Sequence, residues 1–232
     1  MRVDYTQDEI DSRTLKLIVG LIALFLASLT SFLTHGEIQS ISESYHHDGL
    51  VRNIFVGCLF AIASFLFAYN GQEPKKEALI SKIAAISALG VALFPCKCGI
   101  TGNVCRSINE YNQIVFGIMH IISAAIMFLI LARFCQIFYY RAKNKFLRDG
   151  NIMAKRRSYI YLVSGITIVL SILILLLDML IQYLPNPIIL NPRLVYWCEF
   201  FGLVAFGISW LTSSKILPFM AMKHEELHIL KK

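Results

Sequence analysis

The chain has 232 residues, of which 56% are hydrophobic, and a formal net charge of +7. A soluble domain of this length interrupts its apolar runs with charged residues. Here the runs continue for about 20 residues, the length that crosses about 30 Å of hydrocarbon as a helix. Composition therefore excludes a soluble domain. The positive charge lies in the links between the runs, as membrane topology requires, so it does not indicate a nucleic-acid-binding protein.

Six apolar runs follow one another along the chain. Backbone groups in lipid must hydrogen-bond internally, so the runs predict an all-α, six-transmembrane-helix bundle that forms a single domain, 1–232. The first run has no small-residue cleavage motif, which indicates a retained helix rather than a signal peptide. The predicted spans are 14–34, 52–69, 79–94, 113–133, 159–183 and 194–212, and residues 213–232 form a polar cytosolic tail.

The distribution of basic residues predicts the orientation of the bundle. With six spans, 18 of the 22 Lys and Arg residues fall on one side of the membrane, in the N-terminal leader, the second and fourth links and the tail. Because basic residues are enriched on the cytosolic side, this asymmetry places both termini in the cytosol. We therefore expect a multi-pass protein of the cell inner membrane.

Four cysteines are predicted to share the non-cytosolic side: Cys96, Cys98, Cys105 and Cys198. A periplasmic or extracellular surface is oxidising, so one or two disulfides are expected among them, although their spacing leaves the pairing open. The alternative is a zinc site with four thiolate ligands. Such sites usually contain Cys-x2-Cys pairs, and the Cys-x-Cys of this loop departs from that spacing.

Four ionisable residues from four different spans are predicted to lie in the outer third of the bilayer, because a helix rises about 1.5 Å per residue. They are Arg52, His120, Asp178 and Glu199. Ionisable groups inside a span usually face the bundle interior or water. Polar and aromatic side chains at the same level extend this predicted ligand-binding set, namely Ser42, Tyr45, His46 and Trp197.

Convergence of these residues would form an outward-open polar pocket for a lipid headgroup or a small solute. In it, His120 would act as a base or metal ligand, and Glu199 or Asp178 as a second ligand or an acid–base group. Arg52 would hold a phosphate or carboxylate. A zinc ion could recruit His46 or His47 together with His120 and a carboxylate. Haem needs two facing histidines within the spans, and only His120 lies inside one.

A structural interpretation competes with this one. Residues near the membrane surface can extend to the headgroups, and Trp and Tyr there form an ordinary aromatic belt. Asp178 and Glu199 would then pair with Arg52 only to hold the bundle together. The sequence contains no Gly-x-Ser-x-Gly, phosphate-binding loop or His-Glu-x-x-His motif that would identify a reaction.

Runs in five parts of the chain carry a family resemblance: Arg52-Asn53-Ile54-Phe55-Val56-Gly57, Phe65-Leu66-Phe67-Ala68-Tyr69-Asn70-Gly71, Ala88-Leu89-Gly90-Val91-Ala92-Leu93-Phe94-Pro95, the stretch from His120 through Ala124-Ala125 to Phe128, and Trp197-Cys198-Glu199. They resemble a widespread set of bacterial six-span membrane proteins known only as a domain of unknown function, and more loosely the eukaryotic Frag1/DRAM/Sfk1 membrane proteins. The resemblance covers most of the chain and implies that Arg52, His120 and Glu199 belong together. It implies no established activity.

Three functions are consistent with the sequence. The first is an integral membrane protein that binds a lipid or small amphiphile in the outward-facing pocket. The second is a membrane-embedded lipid hydrolase or transferase that uses His120 with Glu199 or Asp178. The third is a structural or accessory subunit. The expected partners are membrane lipids, with a homo-oligomer or a membrane complex as the assembly.

Overall fold

The computed structural model describes residues 12–35, 38–47, 49–72, 74–97, 110–182, 191–217 and 220. For residues 74, 110 and 111 it describes the backbone alone. Throughout these ranges the regular structure is helical, which confirms the all-α fold class. A short 3₁₀ helix, Ser42–Tyr45, lies between the first two long helices. The long helices are α1 (Ser12–Leu33), α2 (Leu50–Ala68), α3 (Pro74–Leu93), α4 (Glu110–Asp149), α5 (Ile152–Gln182) and α6 (Leu194–Ser214).

Five of the described helices are long and apolar enough to cross a membrane: α1, α2, α4, α5 and α6. Their length and composition are those of the transmembrane helices of a membrane protein. The α3 helix is outside this set and carries Lys75, Lys76, Glu77 and Lys82 in its first half. Five of the six predicted spans therefore coincide with a helix of this kind. The remaining predicted span, 79–94, falls on α3, whose length and composition alone do not identify it as a span.

The helices form a closed ring in which each one packs against the next along the chain and α1 packs against α6. We call the end that carries residues 38–47 the loop end, and the end where α1 and α3 begin the basic end. At the basic end, Tyr69 after α2 contacts Glu77 near the start of α3. At the loop end, the carbonyl of Cys96 after α3 contacts His46. The α3 helix thus runs between the two ends of the ring.

Two glycines bring α1 and α6 into backbone contact. A Cβ atom on Gly20 would lie 2.9 Å from the carbonyl oxygen of Gly207, and a Cβ on Gly207 would lie 2.9 Å from that of Gly20. Small residues at a helix crossing let membrane helices approach closely, and dispersion contacts between the backbones then stabilise the pair. This contact closes the ring.

Helices α4 and α5 are longer than their predicted spans, 113–133 and 159–183. The α4 helix continues past Arg133 because Phe134, Phe138 and Ala142, spaced four residues apart, form a buried stripe. Gly150, with a φ of +65°, ends the helix in a backbone conformation that favours glycine. Asn151 then caps α5, as its Oδ1 accepts a hydrogen bond of 3.0 Å from the backbone N–H of Ala154.

Candidate functional site

The Glu199 carboxylate joins α6 to the loop between α1 and α2. Its Oε2 accepts hydrogen bonds from the backbone N–H groups of Ile41, at 2.5 Å, and Ser42, at 3.2 Å. Its Oε1 accepts a bond of 2.8 Å from the Ser42 hydroxyl. The first N–H groups of a helix have no partner within it, so the carboxylate caps the start of the 3₁₀ helix.

A second set of bonds fixes the same loop. The backbone N–H of Tyr196, in the first turn of α6, donates to the carbonyl of Gln39 at 2.9 Å. Glu43 accepts a hydrogen bond of 2.6 Å from the Gln39 N–H through its Oε2. The loop thus accepts a hydrogen bond from the backbone of α6, and Glu199 of α6 accepts hydrogen bonds from the loop. These bonds in both directions fix the position and the register of the contact.

Two imidazoles hold the end of α3. His46 Nε2 lies 2.8 Å from the carbonyl oxygen of Cys96, and His120 Nδ1 lies 2.8 Å from that of Phe94. A carbonyl oxygen only accepts, so each of these nitrogens carries the proton. Both side chains are buried, and the two rings interact electrostatically. His46 and His120 thus bind the backbone on either side of Pro95.

The structure brings Ser42, His46, His120 and Glu199 together at the loop end, but it does not bring Arg52 and Asp178 to them. Arg52 is partly exposed on α2. Asp178 accepts a hydrogen bond of 2.8 Å from Gln182 Nε2, one turn further along α5. Among the described residues Arg52 forms no ion pair with Asp178 or Glu199, so the expected pairing across the bundle is wrong. Neutral donors of the loop, rather than a guanidinium, hydrogen-bond the Glu199 carboxylate.

The remaining predicted ligand-binding residues lie close to this cluster without entering it. Tyr45, in the 3₁₀ helix, packs edge-on against the His46 ring with 5.8 Å between ring centroids. Trp197 is 42% exposed and lies on the outer surface of α6. The roles assigned to these residues from the sequence stay predictions.

The chemistry open to the cluster is limited by how fully its groups are bonded. Both Glu199 oxygens accept hydrogen bonds from the loop. No hydrogen bond joins His120 to Asp178 or Glu199 within the described ranges, so no acid–base pair is assembled there. In the same ranges no three His, Cys, Asp or Glu side chains are grouped to hold a metal ion. The zinc alternative therefore has no ligand set in this part of the chain.

The cysteines of the predicted disulfides fall into two groups. Cys96 and Cys198 carry free thiols, so neither forms a disulfide with the other described cysteines, and Cys98 and Cys105 lie outside the described residues. Burial raises the pKa of the Cys96 thiol, and the Glu199 and Glu43 carboxylates raise it further. Because the thiolate is the reactive form, Cys96 is a poor nucleophile and a poor metal ligand at neutral pH.

A groove of about 320 Å³ lies between α5 and α6 in the half of the bundle nearer the loop end. Its wall is mostly apolar and opens outward, since Leu170 is 51% exposed, Phe201 49% and Trp197 42%. Ile174, Leu194 and Cys198 also line the groove. A membrane protein exposes such a surface to lipid acyl chains.

Arg193 lies at the outer end of this groove. Its guanidinium carbon is 4.5 Å from the centroid of the Tyr196 ring and 5.9 Å from that of Trp197, which lines the groove. Its Nε is buried and has no hydrogen-bond partner among the described residues. In the sequence, Arg193 was counted only among the basic residues that set the topology. Its spacing from the two rings could have indicated the contact, because Tyr196 and Trp197 follow it by three and four residues and such neighbours lie close together at the start of a helix.

Comparison of the chain with protein-family models, curated proteins and solved structures finds no match. The resemblance to six-span bacterial membrane proteins therefore stays a prediction, and the function proposed below is inferred from the geometry of this chain alone.

Proposed function

We propose that this integral membrane protein binds a phospholipid in the groove between α5 and α6, with the lipid phosphate at Arg193. The observation that carries the proposal is the position of Arg193 beside Trp197, at the end of an outward-facing apolar groove, with a buried N–H that has no acceptor among the described residues. A guanidinium binds phosphate through several parallel N–H groups, and the apolar wall suits an acyl chain.

The proposed site differs from the interior pocket that the sequence favours. Ser42, His46, His120 and Glu199 bind protein groups at the loop end and act as positioning residues, because they hold the loop beside the first turn of α6. Trp197 belongs both to the ligand-binding set predicted from the sequence and to the lining of the groove. The ligand class, a membrane lipid, is unchanged, while its site moves from the middle of the ring to the side that faces the bilayer.

A six-span topology with both termini in the cytosol of the inner membrane is part of this proposal. It is supported by the 18 of 22 basic residues on one predicted side and by α3 running between the two ends of the ring. In that orientation the α5–α6 groove opens to the outer leaflet.

The test is native mass spectrometry of the protein purified in a mild detergent and supplied with phosphatidylglycerol or with diacylglycerol, which has no phosphate. We expect retention of phosphatidylglycerol by the wild type and about a tenfold loss in Arg193→Gln, since a charge-assisted hydrogen bond contributes about 1.5–3 kcal/mol. Arg52→Gln is the matched control, because it removes a partly exposed cation at the same end. Equal retention by wild type and Arg193→Gln, or equal losses in the two variants, would contradict the proposal.

A structural or accessory role is the second candidate, and the three hydrogen bonds from the loop to Glu199 favour it. Under this function the polar residues serve the fold alone and the groove takes no specific lipid. Loss of folded protein in His120→Ala or Glu199→Ala is expected under both functions, so lipid retention by the wild type separates them. No specific lipid in the wild type supports the structural role, whereas selective lipid retention supports the binding function.

A further inference from the structure

A second groove, of about 480 Å³, lies between α4 and α5 and opens to the outside of the ring. Sites that bind small ligands have volumes of about 300–1,000 Å³, so this groove has the size of a binding site. Two small residues, Ala132 and Gly165, are among those that line it. A Cβ on Gly165 would lie 3.3 Å from the Cβ of Cys135, so the two helices approach closely at the base of the groove.

The groove is polar at one end and apolar at the other. The α4 helix runs from the loop end, where His120 lies, to the basic end, where Arg141 lies. The α5 helix runs in the opposite direction, and its Tyr161 ring lies 5.6 Å from the Phe138 ring of α4. The half of the groove nearer the basic end is therefore lined by Arg133, Gln136, Tyr139, Tyr140 and Tyr161, and the other half by Leu129, Ile166, Val169 and Leu170.

Arg133 supplies the charge of the polar half. Its side chain is exposed, and its Nη1 donates to Oε1 of Gln136, which follows it by one turn and lines the same groove. A guanidinium has five N–H donors, and within the described ranges this is the hydrogen bond that Arg133 forms. The other N–H groups can therefore bind the oxygens of a ligand without breaking an ion pair of the protein.

A second cation lies beside the same end of the groove. The ammonium of Lys143 is 5.5 Å from the centroid of the Tyr139 ring, and that ring is 5.2 Å from the ring of Tyr140. None of the described residues that line the groove is acidic. Positive charge at one end of an apolar surface is complementary to an amphiphile with an anionic head and a hydrocarbon chain.

We propose that the α4–α5 groove binds an anionic phospholipid of the inner leaflet, with its phosphate at Arg133 and an acyl chain along Leu129, Ile166 and Val169. The leaflet rests on the topology proposed above, in which the basic end faces the cytosol, where the membrane surface is negatively charged. The contacts with the lipid do not rest on the site at Arg193. They define a second site, because α4 lines only this groove and α6 only the other.

Photo-crosslinking in nanodiscs tests the site. The bilayer is phosphatidylcholine with a trace of phosphatidylglycerol that carries a diazirine in an acyl chain, and labelled residues are identified by peptide mass spectrometry. We expect labelling at Leu129 of α4, reduced by excess unlabelled phosphatidylglycerol but not by more phosphatidylcholine. Labelling at Phe201 of α6 reports the other groove, so the two sites succeed or fail separately.

Two outcomes of this experiment overturn the proposal. One is labelling of α4 that both unlabelled lipids reduce equally, which identifies the groove as ordinary lipid-facing surface. The other is an unlabelled α4 in a protein whose native mass is that of a dimer, which identifies a second copy of the chain as the occupant of the groove.

Arg133→Gln and Arg156→Gln form a matched pair of variants. Both arginines are exposed, and Arg156 lies on α5 nearer the basic end and outside the lining of the groove. We expect Arg133→Gln to raise the phosphatidylglycerol concentration needed for half-maximal competition by about tenfold, as loss of a charge-assisted hydrogen bond does. Arg156→Gln should stay close to the wild type. Equal values for the two variants overturn the assignment of Arg133.

Filling the groove tests the site without changing its charge. Ala132→Leu adds a side chain in the groove, whereas Ala125→Leu adds the same side chain to an exposed position of α4 that lines neither groove. We expect Ala132→Leu to abolish the competed labelling of Leu129 and Ala125→Leu to retain it. Full labelling in a folded Ala132→Leu overturns the proposal, and the arginine variants decide if Ala132→Leu does not fold.

Discussion

The two ends of the helical ring bind their buried carboxylates in different ways. At the loop end, the Glu199 carboxylate accepts three hydrogen bonds from backbone N–H groups and a hydroxyl of the loop. At the basic end, the Glu77 carboxylate is paired with the Arg141 guanidinium and also accepts a hydrogen bond from the Tyr69 hydroxyl. Neutral donors therefore hold one carboxylate and a cation holds the other, so the two should differ in what their removal costs.

The largest expected effect is at the buried ion pair of the basic end. Glu77→Gln keeps the shape of the side chain but removes the carboxylate that the Arg141 guanidinium binds. Breaking a buried pair in this way costs about 3 kcal/mol. The free energy of unfolding, measured by denaturant titration in micelles, checks this value.

An exposed ion pair in the same chain is the control for that variant. Arg148 binds Asp149 at 2.7 Å, and both side chains are largely exposed. Because solvent screens exposed pairs, Asp149→Asn should leave the unfolding free energy unchanged. Equal losses from the two variants would show that burial does not set the contribution of the Glu77 pair.

The next effect is at Glu199. Glu199→Ala removes the acceptor of three loop donors and should lower the free energy of unfolding by about 2 kcal/mol, since hydrogen bonds to charged groups contribute about 1.5–3 kcal/mol each and water can replace part of the loss. Hydrogen exchange at the Ile41 and Ser42 amides should become faster. Asp178→Ala removes a carboxylate at the same end that binds only Gln182 in the described structure, and it should leave those amides protected. Unchanged exchange in Glu199→Ala would contradict the capping role.

The smallest of the three effects is at His120. His120→Ala removes the imidazole donor from the Phe94 carbonyl and should cost about 1 kcal/mol in the same unfolding titration. His47→Ala changes a partly exposed imidazole of the loop and should have no measurable effect. If the two histidine variants were equally stable, the bond from His120 to the end of α3 would not contribute to the fold.

The sequence predicted the helices and the depth of the loop-end residues, because apolar run length and helical rise determine both. Of the residues it grouped, Ser42 and Glu199 are hydrogen-bonded to each other. Asp178 is bonded to Gln182 of its own helix instead, since depth does not give the rotation of a helix about its axis. Asp178 is on α5 among exposed residues, and the counterparts of Glu199 are backbone N–H groups that no side-chain pattern reveals.

The sequence did not reveal the buried charged residues of the basic end, and the reason is a different one. Lys16 and Arg141 were counted only among the basic residues that set the topology, and Glu77 was given no role, whereas Lys16 and Glu77 are buried. One signal was present in the sequence, because Lys16 interrupts an apolar run between Leu15 and Leu17. The extension of α4 that brings Phe138 and Arg141 to this place depends on packing against neighbouring helices, and a hydropathy pattern gives no information about that contact.

The most direct test of lipid binding is a structure of the protein in phosphatidylglycerol nanodiscs, with density examined in the groove between α5 and α6. The proposal predicts a phosphate within hydrogen-bond distance of the Arg193 guanidinium and an acyl chain along Leu170, Ile174 and Phe201. A groove without ordered lipid, with Arg193 bonded to a carboxylate of this chain instead, would contradict it.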